Sequence, residues 1–155
     1  MKLRILSVGH KMPDWVETAC AEYIKRMPRE LTIEIVEIKP EKRAAGNNIE
    51  NIQATEAKRL LEAAGKDYLI ACDEHGIQIT SIELAEMLKN WQTLGKNVSF
   101  LIGGADGLDA HLKKQANQII RLSNLTFPHA FVRVLLCEQL FRSQAILQNH
   151  PYHRE

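Results

Sequence analysis

No apolar run in this 155-residue chain approaches the roughly 20 residues that a bilayer-spanning helix needs. No membrane partner is expected. Cysteine is scarce and odd in number. Cys20, Cys72 and Cys137 lie far apart in apolar surroundings, so reduced, packed thiols are expected instead of a disulfide framework. Net charge is almost absent, at +1, which argues neither for nor against a polyanionic partner and leaves that question to local clustering. Repeats, low-complexity tracts and linkers are missing, which leaves a single domain over 1–155. The opening "MKLRILSVG" has a basic start, but its apolar stretch is too short for a signal peptide and runs into the polar "HKMPDW". It reads as a strand, and the cytoplasm is the expected compartment.

The common nucleotide and hydrolase signatures are also missing. Only a lone Gly9 follows the first strand where a dinucleotide fingerprint needs G-x-G-x-x-G, and no Gly-Lys-Ser/Thr forms a P-loop. No G-x-S-x-G elbow is present. His150 and His153 share metal-ligand spacing but have no third convergent ligand in the pattern, so no metal is expected.

What is present alternates between strand and helix. "LRILSV", "LTIEIVEI", "DYLIAC", "VSFLI" and "QIIRLS" read as strands, the third and fourth apolar enough for a covered parallel sheet. Asp14, with Glu17 three residues on, predicts a capping box for a first helix reaching Met27, with an apolar stripe of Trp15, Ala19, Cys20, Tyr23 and Met27. A second helix is predicted over Ile49–Ala64, stopped by Gly65, and a third from "TSIE" to Gly95. A short helix follows Asp109, and a long one runs from about Pro128 to Gln148. The whole is one α/β domain with a mostly parallel sheet.

Ligands of such sheets bind beyond the carboxyl ends of the strands. Three of those ends carry polar or glycine-rich loops: "CDEHG", "GGADG" and "LSNLTFPH". On the long helix His129 and Arg133 are four residues apart, as are Glu138 and Arg142, and the two pairs fall on opposite sides. A ligand site plus a subunit interface explains this; two structural ion pairs explain it comparably well. The richest basic patches are Lys25, Arg26 and Arg29, and Lys39, Lys42 and Arg43. Taken singly, each is satisfied by solvated surface charge. A non-catalytic α/β protein that uses the same glycine loops for a nucleotide stays open as an alternative to an enzyme.

"LIGGADG", "LSNLTFPHAFVRVLLCEQLFR", "NHPYHRE" and the early "VGHKMPDW" together resemble the SPOUT-class bacterial ribosomal RNA methyltransferases that modify N3 of a pseudouridine in 23S rRNA. The resemblance covers essentially the whole chain. It implies a Rossmann-like sheet with a C-terminal trefoil knot, a homodimer, and S-adenosylmethionine as methyl donor. Carried over by position, the cofactor pocket uses Cys72, Gly103, Leu122, Ser123, Asn124, Leu125, Thr126 and Phe127. The family usually has Leu at position 72 and Pro at 105, where this chain has Cys72 and Ala105. Neither change removes a reactive group. The substrate set expected from the resemblance and from the chemistry is His129, Arg142, His153 and Tyr152. Arg133 is a further candidate, with a structural role at the dimer interface equally weighted. The RNA would be met on the ribosome by two subunits together, with no DNA partner.

Overall fold

The computed structural model describes residues 1–154. Its elements, in order, are β1 (Lys2–Val8), α1 (Asp14–Ile24), β2 (Thr32–Ile38), α2 (Ile49–Ala64) and β3 (Tyr68–Gln78). There follow α3 (Ser81–Trp91), β4 (Val98–Ile102), α4 (Ala110–Gln115), β5 (Gln118–Arg121) and α5 (His129–Leu147). The strands form one sheet in the order β2-β1-β4-β3-β5, and every pairing is parallel.

Central β4 explains the unbroken apolar "VSFLI": all five residues are buried, because helices cover both faces of the strand. On one face Leu3, Ile5 and Phe100 pack with Val16 and Cys20 of α1, Leu84 and Leu88 of α3, and Leu136 and Leu140 of α5. On the other, Leu6, Val8, Ala71 and Leu101 meet Ala57 and Leu60 of α2 and Leu112 of α4. Each large side chain buried this way contributes about 1.5–3 kcal/mol. Helix α5 packs against both α1 and α3, so apolar residues occupy most of its circumference.

Several local expectations hold. Thr80 and Glu83 form the reciprocal capping box of α3, and Gly65 ends α2 at φ 59°, a conformation costly for any residue with a Cβ. Others need correction. Asp14 does not cap α1; Pro13 occupies the cap position without a side-chain bond, and Asp14 and Glu17 instead place negative charge in the first turn. Helix α1 stops at Ile24, and turns carry the chain through Met27. Trp15 is half exposed, its ring 5.5 Å from that of Phe131, so the buried stripe is Val16 and Cys20. Helix α3 ends at Trp91, before Gly95. Pro128 is the residue preceding α5 and not its first turn. "CDEHG" is no loop: β3 runs through it, with a register shift against β5 between Cys72 and Ile77.

Candidate active site

The carboxyl ends of β4 and β5, with the middle of β3 beside them, surround a cavity of about 630 Å³. Each of the three polar segments singled out in the sequence contributes a wall. Cys72 to His75 form one, Ile102 to Leu108 a second, and Arg121 to Phe127 a third, with His129 and Val132 of α5 closing the side. All eight positions expected to hold a cofactor line this one cavity: Cys72, Gly103 and Leu122 to Phe127.

Main chain shapes much of it. Gly107 N–H donates to the Gly104 carbonyl at 3.0 Å, closing the glycine loop. A Cβ on Gly103 would lie 2.6 Å from the Gly107 carbonyl carbon and 2.9 Å from the Leu108 nitrogen. Only glycine lets these two backbone stretches touch. In the third wall the Leu125 N–H donates to Ser123 Oγ at 2.9 Å, which leaves Leu125 72% exposed. Burial, aided by the neighbouring Asp73 charge, pushes the Cys72 thiol up to about 12. At neutral pH it is a neutral, weakly nucleophilic wall and not a reactive thiolate.

The expected substrate residues fall into two places. His129 lies at the cavity, exposed. Arg142, Tyr152 and His153 gather around Glu138, well along α5. Arg142 donates from Nε (3.0 Å) and Nη2 (2.7 Å) to Glu138 Oε1, and the Tyr152 hydroxyl donates to the same oxygen at 2.9 Å. Arg142 Nη1 lies 3.1 Å from His153 Nδ1. Desolvation, followed by the bond to Glu138, pushes the Tyr152 phenol up to about 12, so it stays a donor.

The C-terminal segment is anchored as well as charged. Asn149 adopts φ 56° after α5, and the His150 N–H returns to the Ala145 carbonyl at 2.9 Å, a helix stop of the Schellman kind. Tyr152 meets Phe141 edge-on at 4.8 Å between ring centroids, and the Arg26 guanidinium lies 4.3 Å from the Phe141 centroid. Arg26, read in the sequence as part of a basic patch, is thereby part of this support. Glu155 lies outside the described residues.

Arg133 is not brought to the cavity. It is buried at 2% exposure, with Nη1 3.2 Å from Glu37 Oε1. His129 and Arg133 are therefore no working pair, although they sit one turn apart. Sequence reasoning left Glu138 between structural and catalytic roles. Its position as the acceptor shared by Arg142 and Tyr152 was signalled only by the i, i+4 spacing to Arg142. Glu74 and His75, inside the "CDEHG" segment singled out in the sequence, line the cavity beside Cys72. Among the described residues no three His, Cys, Asp or Glu side chains converge as a metal would require.

A parallel sheet with a backbone-walled cleft at its carboxyl edge defines a cofactor-binding α/β protein. The family described as "Predicted SPOUT methyltransferase" matches residues 1–153, and the chain belongs to that family. Among its relatives, the "Ribosomal RNA large subunit methyltransferase H" of Methylobacillus flagellatus is 61% identical over 155 residues, covering all of both chains. The protein of the same name from Neisseria meningitidis is 54% identical over 156 residues, again covering both fully. Among solved structures, the tRNA (m1G37) methyltransferase of Aquifex aeolicus superposes with a TM-score of 0.55 at 14% identity, covering all of this chain and 76% of that one. TrmJ from Z. mobilis gives 0.53 at 13%, over 93% and 70%. These two distant likenesses speak for the fold alone.

Proposed function

We propose that this methyltransferase moves a methyl group from S-adenosylmethionine to N3 of a pseudouridine in 23S rRNA, acting in the cytoplasm on the assembled ribosome as a homodimer. The observation that carries the reading is the single cavity uniting Cys72, Gly103 and Leu122–Phe127 at the carboxyl ends of β4 and β5 and beside β3. The names of the 61% and 54% identical relatives support large-subunit ribosomal RNA as the substrate.

The residues fit the cofactor. Exposed main-chain groups of the third wall can pair with an adenine edge, Leu122 and Phe127 offer apolar faces, and the neutral Cys72 thiol does not compete for the methyl group. The bound cofactor supplies an electrophilic methyl on a sulfonium. The chain's own task is alignment of the ring nitrogen and disposal of its proton. His129 at the cavity rim can accept that proton, and the Arg142 guanidinium can stabilise negative charge developing on the ring.

Within one chain these two cannot act together. Thirteen positions of α5 separate them, about 20 Å at 1.5 Å per residue. A second copy resolves the separation if its Arg142, Tyr152 and His153 reach the first copy's cavity. The face between the two regions supports this, with Phe131 52% exposed beside Val134 and Leu135. We extend the proposal to a single domain over 1–155 in which Leu122–Pro128 threads past Gly103–Leu108 as a trefoil knot. Those segments share the cavity.

The test is methyl transfer to ribosomes lacking the modification, with the product nucleoside identified by mass. N3-methylpseudouridine is expected. A different product with an active enzyme sinks the substrate assignment. Absence of S-adenosylmethionine binding returns the chain to the non-catalytic reading.

A further inference from the structure

The connection between β2 and α2 is the second basic patch of the chain, and it is tied to the cofactor cavity. Arg43 Nη2 lies 2.7 Å from Asp106 Oδ1. The Arg43 side chain is 59% exposed whereas that of Asp106 is only 10% exposed, so the acid is fixed in the glycine loop and the guanidinium faces solvent. Asp106 is also held through its carbonyl, which accepts from Gln53 Nε2 at 2.6 Å.

Two further contacts join the same parts. Glu56 is buried at 5% exposure; its Oε2 accepts from the Glu41 N–H at 3.1 Å, and its Oε1 lies 3.2 Å from the place a Cβ on Gly104 would take. Arg59 donates to the Lys39 carbonyl at 2.9 Å and lies 3.5 Å from Glu41. The segment carrying Lys39, Lys42 and Arg43 therefore rests on α2 and on Gly104–Asp106 together. A displacement of either loop strains the contacts of the other.

We propose that Arg43 is a phosphate-contacting residue of the RNA-binding surface and that Asp106 is a positioning residue, which transmits that contact to the cofactor cavity. An arginine has five donors in a planar fork, so a phosphate can take the exposed edge while Asp106 keeps Nη2. With both partners in place the guanidinium is fixed, and so is the glycine-loop wall formed by Ile102 to Leu108. RNA then strengthens S-adenosylmethionine binding, and by linkage the cofactor strengthens RNA binding by the same factor. The inference rests on the RNA-methyltransferase reading above.

The experiment measures the dissociation constant of S-adenosylmethionine with and without saturating unmethylated ribosomes, for the full chain and for Arg43→Ala, Arg43→Lys and Asp106→Asn. Each variant is referred to its own ribosome-free value, so a direct effect on the cavity cancels. The wild type should show coupling of at least about fivefold, the lower end of usual allosteric factors. Asp106→Asn should retain ribosome binding yet lose the coupling. Arg43→Ala should lose both ribosome affinity and coupling, and Arg43→Lys should recover affinity more than coupling, because a lysine lacks the fork. Wild-type coupling in Asp106→Asn, unchanged ribosome affinity in Arg43→Ala, or no coupling in the wild type overturns the proposal. Product formation on the same ribosomes by the wild type separates that failure from failure of the enzymatic reading.

Discussion

Replacing Gly103 by alanine adds one methyl group at the tightest point of the cavity wall. The new Cβ would stand 2.6 Å from the Gly107 carbonyl carbon, where ordinary contact begins near 3.4 Å. The deficit is thus about 0.8 Å. The three nearest atoms all belong to backbone, of Gly107 and Leu108, so no side chain can swing aside and the loop itself must open. Overpacking of this kind costs roughly 1–3 kcal/mol. In a chain of this length that lowers the melting temperature by about 2–12 °C. The cofactor should suffer more than the fold, because the displaced segment is its wall. A loss of at least ~1.4 kcal/mol, or tenfold in affinity, is expected by calorimetry. Gly65→Ala is the control. Its φ of 59° makes it costly by about 1–3 kcal/mol, and it ends α2 outside the cavity lining. It should lower the melting temperature while leaving cofactor affinity unchanged. If Gly103→Ala binds S-adenosylmethionine within twofold of wild type, the close backbone approach does not shape the site.

Glu138→Gln should loosen the C-terminal segment, since the carboxylate oxygen shared by Arg142 and Tyr152 loses its charge; charge-assisted bonds of this kind contribute roughly 1.5–3 kcal/mol. Methyl transfer should fall while cofactor affinity holds, and a parallel loss of both would place Glu138 in general stability. Removing Tyr152–Glu155 should leave folding and cofactor binding intact and reduce turnover by about 10²-fold or more, the scale of a missing acid–base or charge-stabilising group; normal turnover would show the segment to be dispensable. With its pKa raised from 9.0 to about 12, Cys72 holds a thiolate fraction at pH 8 roughly a thousandfold below that of an unperturbed thiol. It should resist iodoacetamide there and gain reactivity only as pH rises towards 12. The same shift has a stability sign. Above pH 9 the unfolded thiol has released its proton while the folded one retains it, so this group's contribution to stability falls as pH increases through that window. Fast labelling at pH 8, read by intact mass, would refute the burial argument.

The strand order could not be read from the chain, but the elements could. "VSFLI" and "DYLIAC" announced covered strands because continuous apolar runs have few other uses, and Thr80 and Glu83 marked a helix start through a reciprocal bond local to four residues. Asp14 and Glu17 had the same pattern and failed, since Pro13 took the cap position and the competition was settled by backbone geometry. The cavity walls were legible as polar or glycine-rich segments, although "CDEHG" lies within β3 and not after it. Their convergence was not, because it depends on β4 and β5 ending on either side of the register shift in β3. The burial of Arg133 was hidden for a related reason. Helical spacing placed it with His129, and only the packing of α1 over α5 turns it towards Glu37.

A pocket edged so largely by peptide groups is also insulated from ordinary sequence drift. Substitutions change side chains, while backbone carbonyls persist at every position and backbone N–H groups at every position that does not become proline. Cys72 and Ala105 line the cavity with small side chains that carry no charge to lose. The sensitive letters are the ones with nothing to lose but space, above all Gly103. Inherited variation should therefore collect along the cavity's side-chain positions and be purged where two stretches of main chain touch.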